Sequence, residues 1–127
     1  MTKPPTRNAA VGASGERIAA LLLEQAGCTI IARNWHCRGG ELDLVALDGD
    51  MLVCVEVRVR SEAGHGTAAE SVIGVKTKRV LHAVAAFIDA HPEHADRLVR
   101  IDVVAITLDR AGRVAETLHI RDAINEA

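Results

Sequence analysis

The chain has 127 residues and a formal net charge of −2, with 49% apolar, 25% charged and only 2% aromatic residues. That length suits one domain around a single aliphatic core, and no apolar run approaches the ~20 residues that span a bilayer. A near-neutral charge balance excludes nucleic-acid binding through bulk charge, so any such surface must be a local basic patch.

Cys28, Cys37 and Cys54 are odd in number and not closely paired. That excludes a disulfide framework and a zinc site and suits a reducing cytoplasm. Residues 1–11 hold Pro4 and Pro5 without periodicity and read as a disordered arm. They lack the apolar core of a secretory signal. Gly12 to Ala26 reads as a helix with Ser14 as N-cap and a stripe of Ile18, Ala19, Leu22, Leu23 and Ala26. Gly27 is its stop. Glu16 falls in the first turn, where the helix dipole favours an acid. Cys28 to Asn34 reads as a short strand and Trp35 to Gly39 as a polar loop. Trp35, between Arg33 and Arg38, either stacks on a base or plugs the core edge, and plugging is the commoner use.

Glu41 to Leu47 and Leu52 to Val59 are apolar runs on either side of Gly49-Asp50. Gly first in a two-residue loop is the type II′ hairpin turn. Asp48 then faces Met51, Asp43 faces Glu56 and Glu41 faces Arg58. Directly opposed side chains share a face, about 5 Å apart at Cβ. One face therefore carries Glu41, Asp43, Glu56, Arg58 and Arg60. The other carries Leu42, Leu44, Ala46, Val53, Val55, Val57 and Val59. A three-residue loop would slip the register and part Asp43 from Glu56. Opposed carboxylates repel unless compensated. A divalent cation is one compensation. A solvated face with a Glu41–Arg58 pair is the other reading.

Ser61 to Thr67 is a loop in which His65 lies between Gly64 and Gly66. Its histidine reads as a surface residue before a proton shuttle. Ala68 to Ile73 is a helical turn, and Val75 to His91 the longest helix, burying Val80, Val84, Phe87 and Ile88. Lys76, Lys78, Arg79 and His82 gather in its first half. Such a run is usually a solvated face, and it also suits phosphate. His91 and His94 straddle Pro92 and read as solvated. Leu98 to Leu108 is apolar on both faces and reads as an interior strand. Asp109 to Gly112 is a turn and Val114 to Ile120 an edge strand. A single domain over residues 12–120 thus ends in a tail at 121–127. The order of elements predicts an α/β sandwich, a central mixed β-sheet with a hairpin core flanked by helices.

Gly40-Glu41-Leu42-Asp43-Leu44 followed by Val55-Glu56-Val57-Arg58 resembles the split Asp…Glu-x-Lys signature of restriction-endonuclease-like nucleases. From Gly12 to Leu108 the chain resembles more closely the uncharacterised bacterial YraN family, which is similar to archaeal Holliday-junction resolvases. Gly15-Glu16, Arg33-Asn34, Lys76 and Asp102-Val103-Val104-Ala105 also match. The resemblance implies a restriction-endonuclease-like fold that holds Mg²⁺ or Mn²⁺ through Asp43, Glu56 and the Val57 carbonyl. It gives catalytic parts to Glu16, Asp43, Glu56 and Arg58. Arg33, Arg38, Arg60, Lys76, Lys78 and Arg79 then contact nucleic acid: branched or structured DNA first, RNA as the alternative. One departure matters: the signature has lysine where this chain has Arg58. Arginine does not give up its proton. Two rival classes follow, a non-catalytic nucleic-acid-binding module on an inherited nuclease fold and a homodimeric interaction module.

Overall fold

The computed structural model of the chain describes residues 7–61 and 77–124, with side chains from Ser14 onward. The elements are α1 (Arg7–Gln25), β1 (Thr29–Cys37), β2 (Gly40–Asp48), β3 (Met51–Ser61), α2 (Thr77–Ala90), a 3-10 turn at Pro92–His94, β4 (Val99–Leu108) and β5 (Val114–Ile120). The strands form one sheet in the order β1-β2-β3-β4-β5. Neighbours are antiparallel except β3 and β4, which run parallel. The two helices cover opposite faces, so the expected α/β architecture is present.

Each face has its own aliphatic layer. Ala19, Ala20 and Leu23 of α1 pack on Leu44, Ala46, Val53, Val55, Val104 and Ile106. Val80, Ala83, Val84 and Phe87 of α2 pack on Val45, Leu52, Cys54, Ile101 and Val103. β3 and β4 are buried on both sides, which is why their sequences read as near-continuous apolar runs. Leu23, Leu44, Leu52 and Phe87 are at most 1% exposed. Burying each such side chain is worth about 1.5–3 kcal/mol, against roughly 0–1 kcal/mol for a surface ion pair. The layers therefore hold the fold. Among the described residues, no helix is long and apolar enough to cross a membrane.

The hairpin follows its turn chemistry. Asp48 pairs with Met51, Leu47 with Leu52 and Leu44 with Val55. Gly49 takes φ +59° while Asp50 stays out of the positive-φ region, as a type II′ turn requires. The end of α1 is also as expected. Gly27 adopts φ +95°, and Cys28 and Gly27 donate to the carbonyls of Leu23 and Glu24 at 2.9 and 3.0 Å. That is the Schellman arrangement.

Other expectations need correction. α1 starts at Arg7, so residues 7–11 are helical and Ser14 is not an N-cap. Its hydroxyl accepts from Arg17 inside the helix, at 3.2 Å. β1 runs on to Cys37, so Trp35, His36 and Cys37 are strand and the turn is only Arg38–Gly39. Trp35 meets Phe87 edge-on at 5.3 Å and plugs the core edge. His91 and His94 are half-buried, and His91 stacks on Phe87 at 4.1 Å. Past β5 the chain packs back rather than trailing off. Ala123 donates to the Ile101 carbonyl at 2.8 Å, and Ile124 is buried. The loop with His65, the turn at 68–73 and Lys76 lie outside the described residues.

Candidate functional site

The two faces of the hairpin are not as simple as alternation predicts. Leu44, Ala46, Val53, Val55, Val57 and Val59 do share the α1 side. Leu42 does not: it joins the α2 layer with Val45. The face expected to be charged is instead apolar over Val45, Leu52 and Cys54, which are fully buried. Val45, Leu52 and Cys54 lie within the ladder and are covered by α2. The ladder ends at Leu44–Val55, one step before Asp43 and Glu56, and Leu42 lies beyond that end, where strict alternation fails.

The carboxylates occupy the place where these strands part. Asp43 Oδ2 accepts from the backbone N–H of Val57 at 2.8 Å. A side chain thus takes a strand amide that would otherwise bond to a strand carbonyl. Glu56 immediately precedes that amide. Two positions on from Cys54, it continues the α2 side of β3. Its Oε1 is buried with no hydrogen-bond partner. Burial, then the charges of Asp43 and Glu41, push the Glu56 carboxyl up to about 8, with Arg58 opposing. Burial also pushes Asp43 up to about 6; the Val57 amide opposes this, the charges of Glu16 and Glu41 add to it, and Arg58 opposes it. Burial and the nearby Glu56 and Asp102 charges push the Cys54 thiol up to about 12.

These residues fit a hard divalent cation. Mg²⁺ takes one or two carboxylates and completes its shell with other oxygens. A buried carboxylate oxygen without a partner, beside a second carboxylate, is the donor set such an ion uses. The Val57 carbonyl lies within the same few residues. Glu16 does not complete a third protein carboxylate ligand. Among the described residues no group of three or more His, Cys, Asp or Glu side chains is arranged to hold a metal. Glu16 acts on Asp43 through its charge.

The expected basic residues divide. Arg58 is exposed beside the pair and its charge acts on both acids. It does not pair with Glu41, which instead meets His36 Nδ1 at 3.3 Å. Arg38, Lys78 and Arg79 are exposed around the β1–β2 turn and the start of α2. Arg33 lies on the α1 side, 3.8 Å from Glu24. Arg60 is half-buried in β3 and pairs with Thr107 of β4 in the ladder.

A second polar cluster escaped the sequence reading. Asp102, fully buried in β4, accepts from Arg100 Nε at 2.9 Å, the His119 ring at 2.7 Å and the Asp122 amide at 2.9 Å. Arg100 also reaches Asp48 at 2.9 Å, tying β4 to the hairpin turn. The available signal was an acid in the middle of an interior strand with an arginine two residues before it, hence on the same face. Its other partners are distant in sequence.

Two helices around a mixed sheet, with a half-buried acid pair where two strands part, define an α/β domain carrying a candidate metal centre. The chain belongs to the uncharacterised protein family UPF0102, whose profile matches residues 15–106. It is 47% identical over 112 residues to a UPF0102 protein of Beutenbergia cavernae, covering 88% of this chain and 93% of that relative. It is 46% identical over 114 residues to one from Frankia casuarinae, covering 90% and 95%. With one from Chloroflexus aurantiacus it shares 43% over 122 residues, covering 96% and 98%.

Proposed function

We propose that the protein is a metal-dependent, nuclease-like protein that binds or cleaves branched or otherwise structured DNA. The observation that carries this reading is the buried, unpartnered Glu56 Oε1 next to Asp43. A purely structural acid in that position would find donors, as buried polar groups do. The restriction-endonuclease-like resemblance of Asp43 and Glu56-Val57-Arg58 supplies the reaction class, phosphodiester hydrolysis. Asp43, Glu56 and the Val57 carbonyl would hold the ion. Bound there, Mg²⁺ or Mn²⁺ supplies Lewis-acid stabilisation of phosphate charge and an easily ionised water. Arg58 brings a fixed charge and two parallel N–H groups to a phosphate oxygen. Arg38, Lys78 and Arg79 contact the backbone of the strand.

Arg58 favours a second reading, in which the protein binds structured nucleic acid and cleaves it weakly or not at all. An arginine cannot serve as a base, and its charge competes with a cation for the same two acids. Calorimetric titration with Mg²⁺ and Mn²⁺, paired with cleavage of junction, flap and single-stranded substrates, tests both. Metal binding that is lost in Asp43→Asn, together with cleavage, is the expected result for the first. DNA binding without metal binding selects the second. Binding of neither metal nor DNA refutes both.

A further inference from the structure

The two-residue turn between β1 and β2 is seated on α2. His82 Nε2 lies 2.8 Å from the carbonyl oxygen of Arg38. A carbonyl only accepts, so Nε2 carries the proton and donates. Gly39 adopts φ +85°, which a residue with a side chain takes only under strain. At Gly40 a Cβ would come within 3.0 Å of the Arg79 carbonyl oxygen and 3.2 Å of Ala83 Cβ. Both glycines therefore allow the turn to lie directly against the first half of the helix.

That contact brings three exposed cations together, Arg38 from the turn and Lys78 and Arg79 from the helix. Among the described residues no acid pairs with any of them, and the nearby Glu41 is engaged by His36. β2 leaves this turn and reaches Asp43 three residues later. Ordering a backbone residue costs about 1–2 kcal/mol. The histidine clamp meets that cost during folding, before any ligand arrives. Preorganisation of this kind raises affinity without adding a contact.

We infer that His82 is a positioning residue: it clamps the Arg38–Gly39 turn to α2 so that Arg38 joins Lys78 and Arg79 in contacting the phosphate backbone of a nucleic acid lying against the carboxylate pair. The inference rests on the nucleic-acid reading above. His82 itself touches no phosphate; it acts through Arg38.

The test is binding of a synthetic four-way junction and a plain duplex by the full chain over a salt series. Arg38→Ala lowers the slope of log affinity against log salt by about 0.9, as expected for one lost phosphate contact. His82→Ala lowers it by a similar amount and adds nothing further on the Arg38→Ala background. His82→Gln, whose amide can donate to the same carbonyl, restores the slope. A wild-type slope in His82→Ala overturns the inference alone, as do fully additive effects of the two alanine changes or failure of the Gln variant to restore binding. A wild-type protein that binds neither probe overturns the nucleic-acid reading and this inference with it.

Discussion

Replacing Glu56 by glutamine in the metal-free protein should make it more stable, but only at neutral to alkaline pH. The carboxyl moves from an ordinary value of 4.5 to about 8 in the fold. At 1.36 kcal/mol per pH unit, that gap corresponds to on the order of 5 kcal/mol. The sign follows from proton uptake. Between those values the folded state holds a proton that the unfolded state has released. The stability this proton brings is fully present below pH 4.5 and is lost as pH rises through about 8. Asp43, raised from 3.8 to about 6, acts in the same direction over a lower window. Glutamine cannot ionise, so its curve lacks the Glu56 part. Protonated glutamate and glutamine bury comparable polar groups, so the two proteins should agree within about 1 kcal/mol near pH 5. Near pH 9 the variant should lead by several kcal/mol. Urea denaturation with a chelator across this range measures the difference directly. Added Mg²⁺ should then stabilise the wild type and leave the variant unmoved, because only a ligand that binds the folded state shifts the equilibrium. Parallel curves for the two proteins from acid to alkaline pH would refute the reasoning, since Glu56 would then not be an uncompensated buried charge.

Arg58→Lys should keep the fold and raise metal-dependent cleavage of a junction substrate if a base is what the native site lacks, whereas Arg58→Ala should abolish it if charge stabilisation matters; unchanged rates in both remove this position from the chemistry. Neutralising Lys78 and Arg79 together should lower the salt slope of DNA binding by about 1.8, read by the same titration. Asp102→Ala should cost about 3–5 kcal/mol in urea denaturation, because the Arg100 guanidinium is left buried without its main partner. A loss below about 1 kcal/mol would mean that Arg100 escapes to water.

What the sequence made legible was local. The Gly49-Asp50 turn fixed the register from Asp48–Met51 to Leu44–Val55 because turn geometry acts over neighbouring residues. Gly27 ended α1 for the same reason. Ser14 looks like a cap, yet α1 starts at Arg7 and the Ser14 hydroxyl is satisfied within the helix by Arg17. From local pattern Trp35 reads as a loop residue, because the ring that packs on it, Phe87, is far along the chain. Of the candidate site, the nearness of Asp43 to Glu56 was readable, since two acids interrupt otherwise apolar strands. The parting of the strands at Asp43 was not. It is set by a carboxylate capturing the Val57 amide, and no residue pattern announces that choice.

Asp102 and Glu56 are acids on adjacent parallel strands, and the contrast between them carries most of the functional argument. Burial pushes both up. At Asp102, bonds from His119, Arg100 and the Asp122 amide outweigh it and hold the carboxyl below the usual carboxylate range. The same aspartate secures β4 to β5 and to the hairpin turn through Arg100. That is how this fold treats an acid whose work is structural: three donors are brought to it, although Arg100 Nη2 beside it stays buried without a partner. Glu56 lies one ladder position past the residue paired with Asp102, so its side chain leaves from the opposite face of the sheet. There the fold leaves Oε1 bare and sets a second acid beside it. An uncompensated buried carboxylate costs several kcal/mol, a large share of a total stability of roughly 5–15 kcal/mol. Under the proposed function, a positive partner supplied from outside the chain would resolve that contrast. In that proposal a cation bound by Asp43 and Glu56 is the smallest partner that meets the need.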